Sequence, residues 1–179
     1  MSREQARRVL EQAQRIAVAT HIAPDADALS SAIGLTLILR RLGKEAVAFC
    51  DDDLPPRLKT LPHADEIGRT AHGSFDLRVS LDASDPSRLG QAFRGLESLP
   101  LLNIDHHVTN IGFGTINWVE PAAVATAEMV LWLADDLGVA LDPELASLLL
   151  AGIVGDTLGL RTPNVTPQVL REVVRLMEA

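Results

Sequence analysis

Four short segments of the chain place Asp or His where a strand or helix should end: His21-Ile22-Ala23-Pro24-Asp25-Ala26-Asp27, then Asp82, then Asp105-His106-His107, then Asp156. Taken singly, an Asp at a strand end is an ordinary cap or turn residue, and a lone His is an ordinary structural one. The triplet is more specific, because consecutive histidines at a strand terminus have few structural uses. Together the segments bring carboxylates and imidazoles with no thiolate. Converging carboxylates repel, so their pKa values must rise unless cations compensate them. Asp25, Asp27, Asp82 and Asp156 carry one negative charge each, and two divalent cations neutralise the four. Oxygen and imidazole donors suit Mn²⁺ or Mg²⁺, with Co²⁺, Fe²⁺ and Zn²⁺ as compatible occupants. Two such ions about 3.5–4 Å apart activate a hydroxide, polarise a phosphoryl group and neutralise the leaving oxygen. The inventory is that of a two-metal phosphoesterase.

Such residues need a scaffold that aims them at one place. Apolar periodicity predicts helices over 3–14 (Val9, Leu10 and Ala13 inward), 27–42 (Leu29, Ile33, Leu37, Ile38; stopped by Gly43), 87–96, 124–137 (closed by Gly138), 143–155 and 167–177. Asp142 and Thr166 are the expected N-caps, each followed by a proline at the first helical position. Strands are expected over 15–20, 45–50, 76–81, 100–104 and 115–119. The acidic run Asp51-Asp52-Asp53 reads as a solvated turn ahead of Pro55-Pro56. Alternating strands and helices predict an α/β fold, doubly wound, with a mostly parallel sheet and helices on both faces. In such sheets ligands bind beyond the carboxyl ends of the strands. His21, Asp82 and Asp105-His106 each end a different predicted strand, so all reach one rim.

The 179 residues fit one domain spanning 1–179, with no repeat and no linker-like tract. A net charge of −8 argues against gripping long duplex DNA or RNA, since little counterion release is available to an acidic surface. Short nucleotides held by a few contacts or through metal ions are compatible with it. Cys50 is the single cysteine, which excludes an intrachain disulfide and a Cys-rich structural zinc site. The charged N-terminus has no apolar core of a signal peptide, and the apolar stretch 145–154 is too short to cross a bilayer. The expectation is a soluble cytoplasmic protein without membrane contact. Trp118 and Trp132 read as core residues, and His63 and His72 as surface residues. Thr157 is placed for a hydrogen bond within the site, and Arg161 for a surface or phosphate contact. The apolar helix 124–137 is the expected contact of a homodimer.

The motifs resemble those of the DHH phosphoesterase superfamily, whose defining triplet stands here as Asp105-His106-His107. The first motif is His21-Ile-Ala-Pro-Asp25-Ala-Asp27-Ala-Leu-Ser30-Ser31. The second is Val79-Ser80-Leu81-Asp82-Ala83-Ser84-Asp85, followed by Arg88-Leu89-Gly90. The fourth is Gly152-Ile153-Val154-Gly155-Asp156-Thr157. The similarity covers nearly the whole chain and is nearest to the branch of bacterial nanoRNases with pAp phosphatase activity. That resemblance implies His21, Asp25 and Asp82 around one metal ion, and Asp27, Asp82, His106 and Asp156 around a second, with Asp82 bridging. It implies His107 facing the substrate phosphate, and Asp105 orienting a histidine rather than binding metal. Asp82 and His107 are then the residues nearest the reacting atoms.

Two departures stand out. Ala26 and Ser30-Ser31 replace the family's usual glycine and Gly-Ser, changes that alanine tolerates where φ is negative. Relatives usually continue into a second domain with a glycine-rich, histidine-containing substrate motif, which the resemblance implies is absent from residues 1–179. The expected activity is metal-dependent hydrolysis of phosphoester bonds in short nucleotides: nanoRNA, linear dinucleotides and pAp. Alternatives are pyrophosphate or polyphosphate hydrolysis, or a metal- and nucleotide-binding module with little turnover.

Overall fold

The computed structural model describes residues 2–179. Five strands form one parallel sheet: β1 (Arg15–Ala19), β2 (Glu45–Phe49), β3 (Leu77–Leu81), β4 (Leu101–Asp105) and β5 (Ile116–Val119), in the spatial order β2-β1-β3-β4-β5. The chain runs outward from β1 to β2 and then returns to β3 on the other side of β1. The connections therefore diverge between β1 and β3, which is where a parallel α/β sheet opens a crevice at its carboxyl edge. Register fixes the depth of that crevice: Val18 pairs with Val79, and Val79 with Leu102, so the three strands end level.

Five α-helices complete the chain: α1 (Arg3–Gln12), α2 (Ala26–Arg41), α3 (Thr126–Asp136), α4 (Pro143–Asp156) and α5 (Pro167–Glu178). Side chains alternate across each strand, so Ile16, Val18, Val79, Leu81, Leu102 and Ile104 face the α-helices in one large aliphatic core. The opposite face is thinner. Ala17, Ala19, Leu101 and Phe49 meet Leu89, Ala92 and Phe93. The expected helix over 87–96 is shorter there: a 3₁₀ turn over Pro86–Leu89 is followed by irregular turns. Gly90 and Gly95 have φ of 53° and 84°, left-handed values that end a helix. At Gly90 a Cβ would lie 2.4 Å from Oδ2 of Asp51. Leu89, Ala92, Phe93 and Leu96 still turn to the sheet, so their helical spacing reflects burial without a helix. The parallel α/β class holds, but the five α-helices pack together on one face, and the other face, expected to carry helices too, is covered by the 3₁₀ turn and irregular turns.

Helix ends follow local chemistry. Asp25 caps α2, Asp142 caps α4 and Thr166 caps α5, each accepting from a backbone amide three residues on. α1 ends at Gln12, two residues short of expectation, and buries Ala6 and Leu10. α3 does not offer an apolar face to a second copy. Val130, Leu131, Leu133 and Ala134 are consumed in the core, which removes the surface expected to make a dimer. Outward apolar residues lie instead on α5, at Leu170, Val174 and Met177, and in the loops after β4 and α4, at Val108, Ile111 and Leu158. Trp118 is buried, as is most of Trp132, whose indole Nε1 donates to Glu172. Among the described residues no helix is long and apolar enough to cross a membrane.

α2 and α4 cross close together beside the crevice. Gly152 and Gly155 of α4 make this possible: a Cβ on Gly152 would stand 2.5 Å from Cβ of Ala127 and 3.1 Å from Oδ1 of Asp27, and one on Gly155 would stand 2.8 Å from Cβ of Ala26. The fourth sequence motif is therefore partly a packing motif. It lets the start of α2, the start of α3 and the end of α4 converge. Ala26 is the first residue of α2, where helical backbone accepts alanine without strain.

Candidate metal centre

His21, Asp25, Asp27, Asp82, His106 and Asp156 meet at the carboxyl edge, over the divergence between β1 and β3. Three groups of donor atoms each lie within 4.8 Å of one another: His21 with Asp25 and Asp82, Asp27 with His106 and Asp156, and Asp82 with His106 and His107.

Asp82 is the centre of this arrangement. It follows β3 directly, is buried, and has a left-handed backbone with φ of 60°. Aspartate visits that region more readily than most residues. The turn aims one carboxylate oxygen at each of two histidines. Oδ2 lies 3.5 Å from Nε2 of His21, and Oδ1 lies 3.6 Å from Nε2 of His106. These separations are too long for hydrogen bonds. They fall between the about 3 Å and about 4.2 Å that separate cis and trans donors about 2.1 Å from one octahedral ion, a gap that a cation can bridge.

Both imidazoles are held from behind. Nδ1 of His21 is 2.8 Å from the carbonyl oxygen of Ile22, and Nδ1 of His106 is 3.3 Å from that of Ala123. A carbonyl only accepts, so Nδ1 carries a proton and Nε2 is the nitrogen that faces the carboxylates. Nε2 of His106 is buried and has no hydrogen-bond partner, although Oδ2 of Asp156, Oδ1 of Asp82 and Oδ2 of Asp27 stand 3.6, 3.6 and 3.9 Å away. Leaving such an atom unpaired costs about 1–3 kcal/mol. An unpartnered imidazole nitrogen among carboxylates is what a cation satisfies, so the residues fit a divalent ion.

Asp27 does two jobs. It is almost fully buried, and its oxygens accept from the backbone amides of Thr126 (2.7 Å) and Ala127 (2.8 Å). These are the first amides of α3, whose own N-cap residue, Ala125, supplies no side-chain cap. Asp27 therefore caps α3 from a distance, and the helix dipole favours its charge. Burial and the neighbouring Asp82 nevertheless push its carboxyl well above the usual range. Asp156 is also raised, by burial and by Asp82 and Asp25. It closes the C-terminal end of α4, where the helix dipole adds further negative potential. Burial also opposes the charge on Asp82, but His21, His106 and His107 around it outweigh burial and hold it below the usual range. The more exposed Asp25 points Oδ2 at Nε2 of His21 from 3.9 Å while Oδ1 caps α2.

His107 differs from its neighbour. Its Nδ1 lies 2.7 Å from Oδ1 of the fully buried Asp105, which also accepts its backbone amide at 3.3 Å. That carboxylate raises the His107 pKa. With Nδ1 engaged, Nε2 is the nitrogen left for the open side of the site. The other oxygen of Asp105 accepts from Asn110 at 2.6 Å, and Asn110 also reaches the carbonyl of Ala83 and the side chain of Asn103. Asp105 thus orients a histidine, and the one it orients is His107.

Several contributors were not visible in the motifs. Thr126 donates its hydroxyl to Oδ1 of Asp82 at 2.9 Å across 44 residues, and Asn110 steadies Asp105. The acidic run is structural rather than merely solvated: Asp52 accepts from the amide of Ala23 at 2.7 Å and Asp51 from that of Gln91 at 2.9 Å, pinning the loop after His21. Thr157 does not serve the site, since its hydroxyl donates to the carbonyl of Ile153 at 2.6 Å and ends α4. Arg161 folds back on the carbonyl of Leu158. His63 bridges Glu66 and Glu144 near α4, away from the metal centre.

Known proteins share this architecture. The bifunctional oligoribonuclease and PAP phosphatase NrnA of Thermus thermophilus is 42% identical over 168 residues, covering 90% of this chain and 49% of that protein. NrnA of Bacillus subtilis is 32% identical, covering 88% of this chain and 51% of that protein. A probable manganese-dependent inorganic pyrophosphatase of Deinococcus radiodurans is 29% identical, covering 84% and 49% respectively. The chain thus spans about half the length of the curated relatives it matches. The structure of an exopolyphosphatase-related protein from Bacteroides fragilis superposes with a TM-score of 0.89 at 22% identity, covering 98% of this chain and 56% of that one. Residues 15–153 match the N-terminal domain of the DHH family, and the chain belongs to that family.

Proposed function

We propose that this chain is a cytoplasmic phosphoesterase domain that hydrolyses phosphoester bonds of short nucleotides with two divalent cations, Mn²⁺ foremost. The observation that carries this reading is Asp82, whose two buried oxygens face two different histidines, each backed by further carboxylates. His21, Asp25 and Asp82 hold one ion, and Asp27, Asp82, His106 and Asp156 hold the other. The ions supply Lewis acidity and charge neutralisation for an in-line displacement at phosphorus. The protein's own residues do the positioning. Asp82 sets the spacing of the two half-sites. Asp105 fixes the His107 ring so that its free nitrogen meets a phosphoryl oxygen and stabilises developing charge. The amides of α3, engaged by Asp27, hold that carboxylate in place without a flexible partner.

The names of the two NrnA relatives support oligoribonucleotides and PAP as substrates. The pyrophosphatase relative supports a second reading, hydrolysis of pyrophosphate or polyphosphate. One experiment separates them: turnover of adenosine 3′,5′-bisphosphate, a 5′-labelled diadenylate and pyrophosphate, each with Mn²⁺ and with EDTA. The proposal expects Mn²⁺-dependent cleavage of the first two and little of the third. Preference for pyrophosphate would install the second reading. Bound Mn²⁺ with no turnover of any substrate would make the chain a metal-binding module.

A further inference from the structure

Beside the metal centre the crevice opens into a cavity of about 400 Å³, lined by Asp25, Ala26, Asp27, Arg57, Leu58, Gly155 and Asp156. That is about a dozen water volumes at about 30 Å³ each, more than one phosphoryl group and its metal ions fill. Arg57 is the one basic side chain among these lining residues. Its setting is prepared. It follows Pro55-Pro56, whose rings fix the backbone, in a 3₁₀ turn over Pro56–Leu58. The amide of Leu58 donates to the carbonyl of Pro55 at 2.8 Å, the hydroxyl of Thr60 donates to the carbonyl of Arg57 at 3.0 Å, and Leu58 is buried. The guanidinium itself, by contrast, takes no hydrogen bond or ion pair among the described residues, although three carboxylates line the same cavity. Most arginines elsewhere in the chain are engaged: Arg3, Arg40, Arg41, Arg69 and Arg175 pair with carboxylates, and Arg78 with carbonyls.

We infer that Arg57 holds a second anionic group of the substrate, a phosphate other than the one being cleaved. The inference rests on the phosphoesterase reading and narrows it to substrates with two phosphates. Guanidinium is suited to this, because its planar fork matches a phosphate and it stays charged. The carboxylates across the cavity are neutralised when cations occupy the centre, so the cavity then presents net positive charge to an anion. Arg57 is a positioning residue: it acts on affinity for the doubly phosphorylated ligand and not on the reacting bond.

The test measures binding by calorimetry, with Ca²⁺ in place of Mn²⁺ to keep the nucleotides intact. The probes are adenosine 3′,5′-bisphosphate and adenosine 5′-monophosphate. The chain is expected to prefer the bisphosphate by roughly tenfold or more, the range of a charged hydrogen bond. Arg57→Gln should bring the two within about twofold by weakening the bisphosphate, and Arg57→Lys should retain part of the preference. A preference that survives Arg57→Gln, the lack of any preference in the parent, or equal weakening of both ligands would overturn the assignment. Turnover with Mn²⁺ is scored separately. An inert chain that keeps an Arg57-dependent preference would sink the catalytic reading and leave the phosphate subsite standing.

Discussion

The two edges of the sheet treat charge in opposite ways. At the amino edge, polar groups are matched by the protein itself. Asp76 accepts the amides of Gln14 (3.0 Å) and Arg15 (3.1 Å), Lys44 donates to the carbonyls of Glu11 (2.8 Å) and Ala13 (2.6 Å), and Arg78 donates to that of Leu99 (2.7 Å). At the carboxyl edge, three carboxylates, two of them buried, surround an imidazole nitrogen with no hydrogen-bond partner, and two of the three have raised pKa values. Both edges bring aspartates and nitrogen-bearing side chains to the ends of one sheet. The difference is that one set closes hydrogen bonds locally and the other converges without closing them. A chain tolerates the second arrangement at a cost in stability, and a cation removes that cost.

The contrast is broken most severely at Asp82. Asp82→Asn keeps a residue that accepts the left-handed backbone and removes one charge shared by both half-sites. Turnover is expected to fall by about three orders of magnitude, beyond the 10–100-fold typical of an outer partner, with fewer than two Mn²⁺ bound per chain by calorimetry. Asp105→Asn touches no proposed metal ligand directly except through the backbone. It should lower kcat by about 10–100-fold while the Mn²⁺ stoichiometry stays unchanged. Gly152→Ala places a methyl against Ala127 and Asp27. The expected loss is about 1–3 kcal/mol of stability by urea unfolding, together with weaker Mn²⁺ binding, as overpacking moves the start of α3. Asp76→Ala belongs to the other edge. Removing its two amide contacts should cost about 1 kcal/mol and leave Mn²⁺ affinity within twofold, since the lost interactions are purely structural.

Much of this was legible in the chain because strand ends and motif residues coincide. His21, Asp82 and the Asp105-His106-His107 triplet each follow an apolar run short enough to be a buried strand, so parallel topology alone brings them to one edge. What could not be read depends on packing between distant segments. Asp27 meets the amides of Thr126 and Ala127 across about a hundred residues, and neither amide has a side-chain signature in the sequence. Asn110 and Thr126 look like ordinary polar residues until Asp105 and Asp82 are placed beside them. The misread helix over 87–96 has a different cause. Leu89, Ala92, Phe93 and Leu96 repeat at helical spacing, yet Gly90 and Gly95 adopt left-handed backbone, and their turn chemistry outweighs the periodicity.

The most direct test of the carboxyl-edge account is a calorimetric titration of the chain with Mn²⁺ at neutral pH, paired with its melting temperature before and after. Two equivalents bound and a rise in melting temperature are expected, since an ion that binds only the folded state stabilises it by mass action. No binding, or binding that leaves the melting temperature unchanged and is matched by Asp82→Asn, would contradict the claim that these carboxylates are assembled around cations.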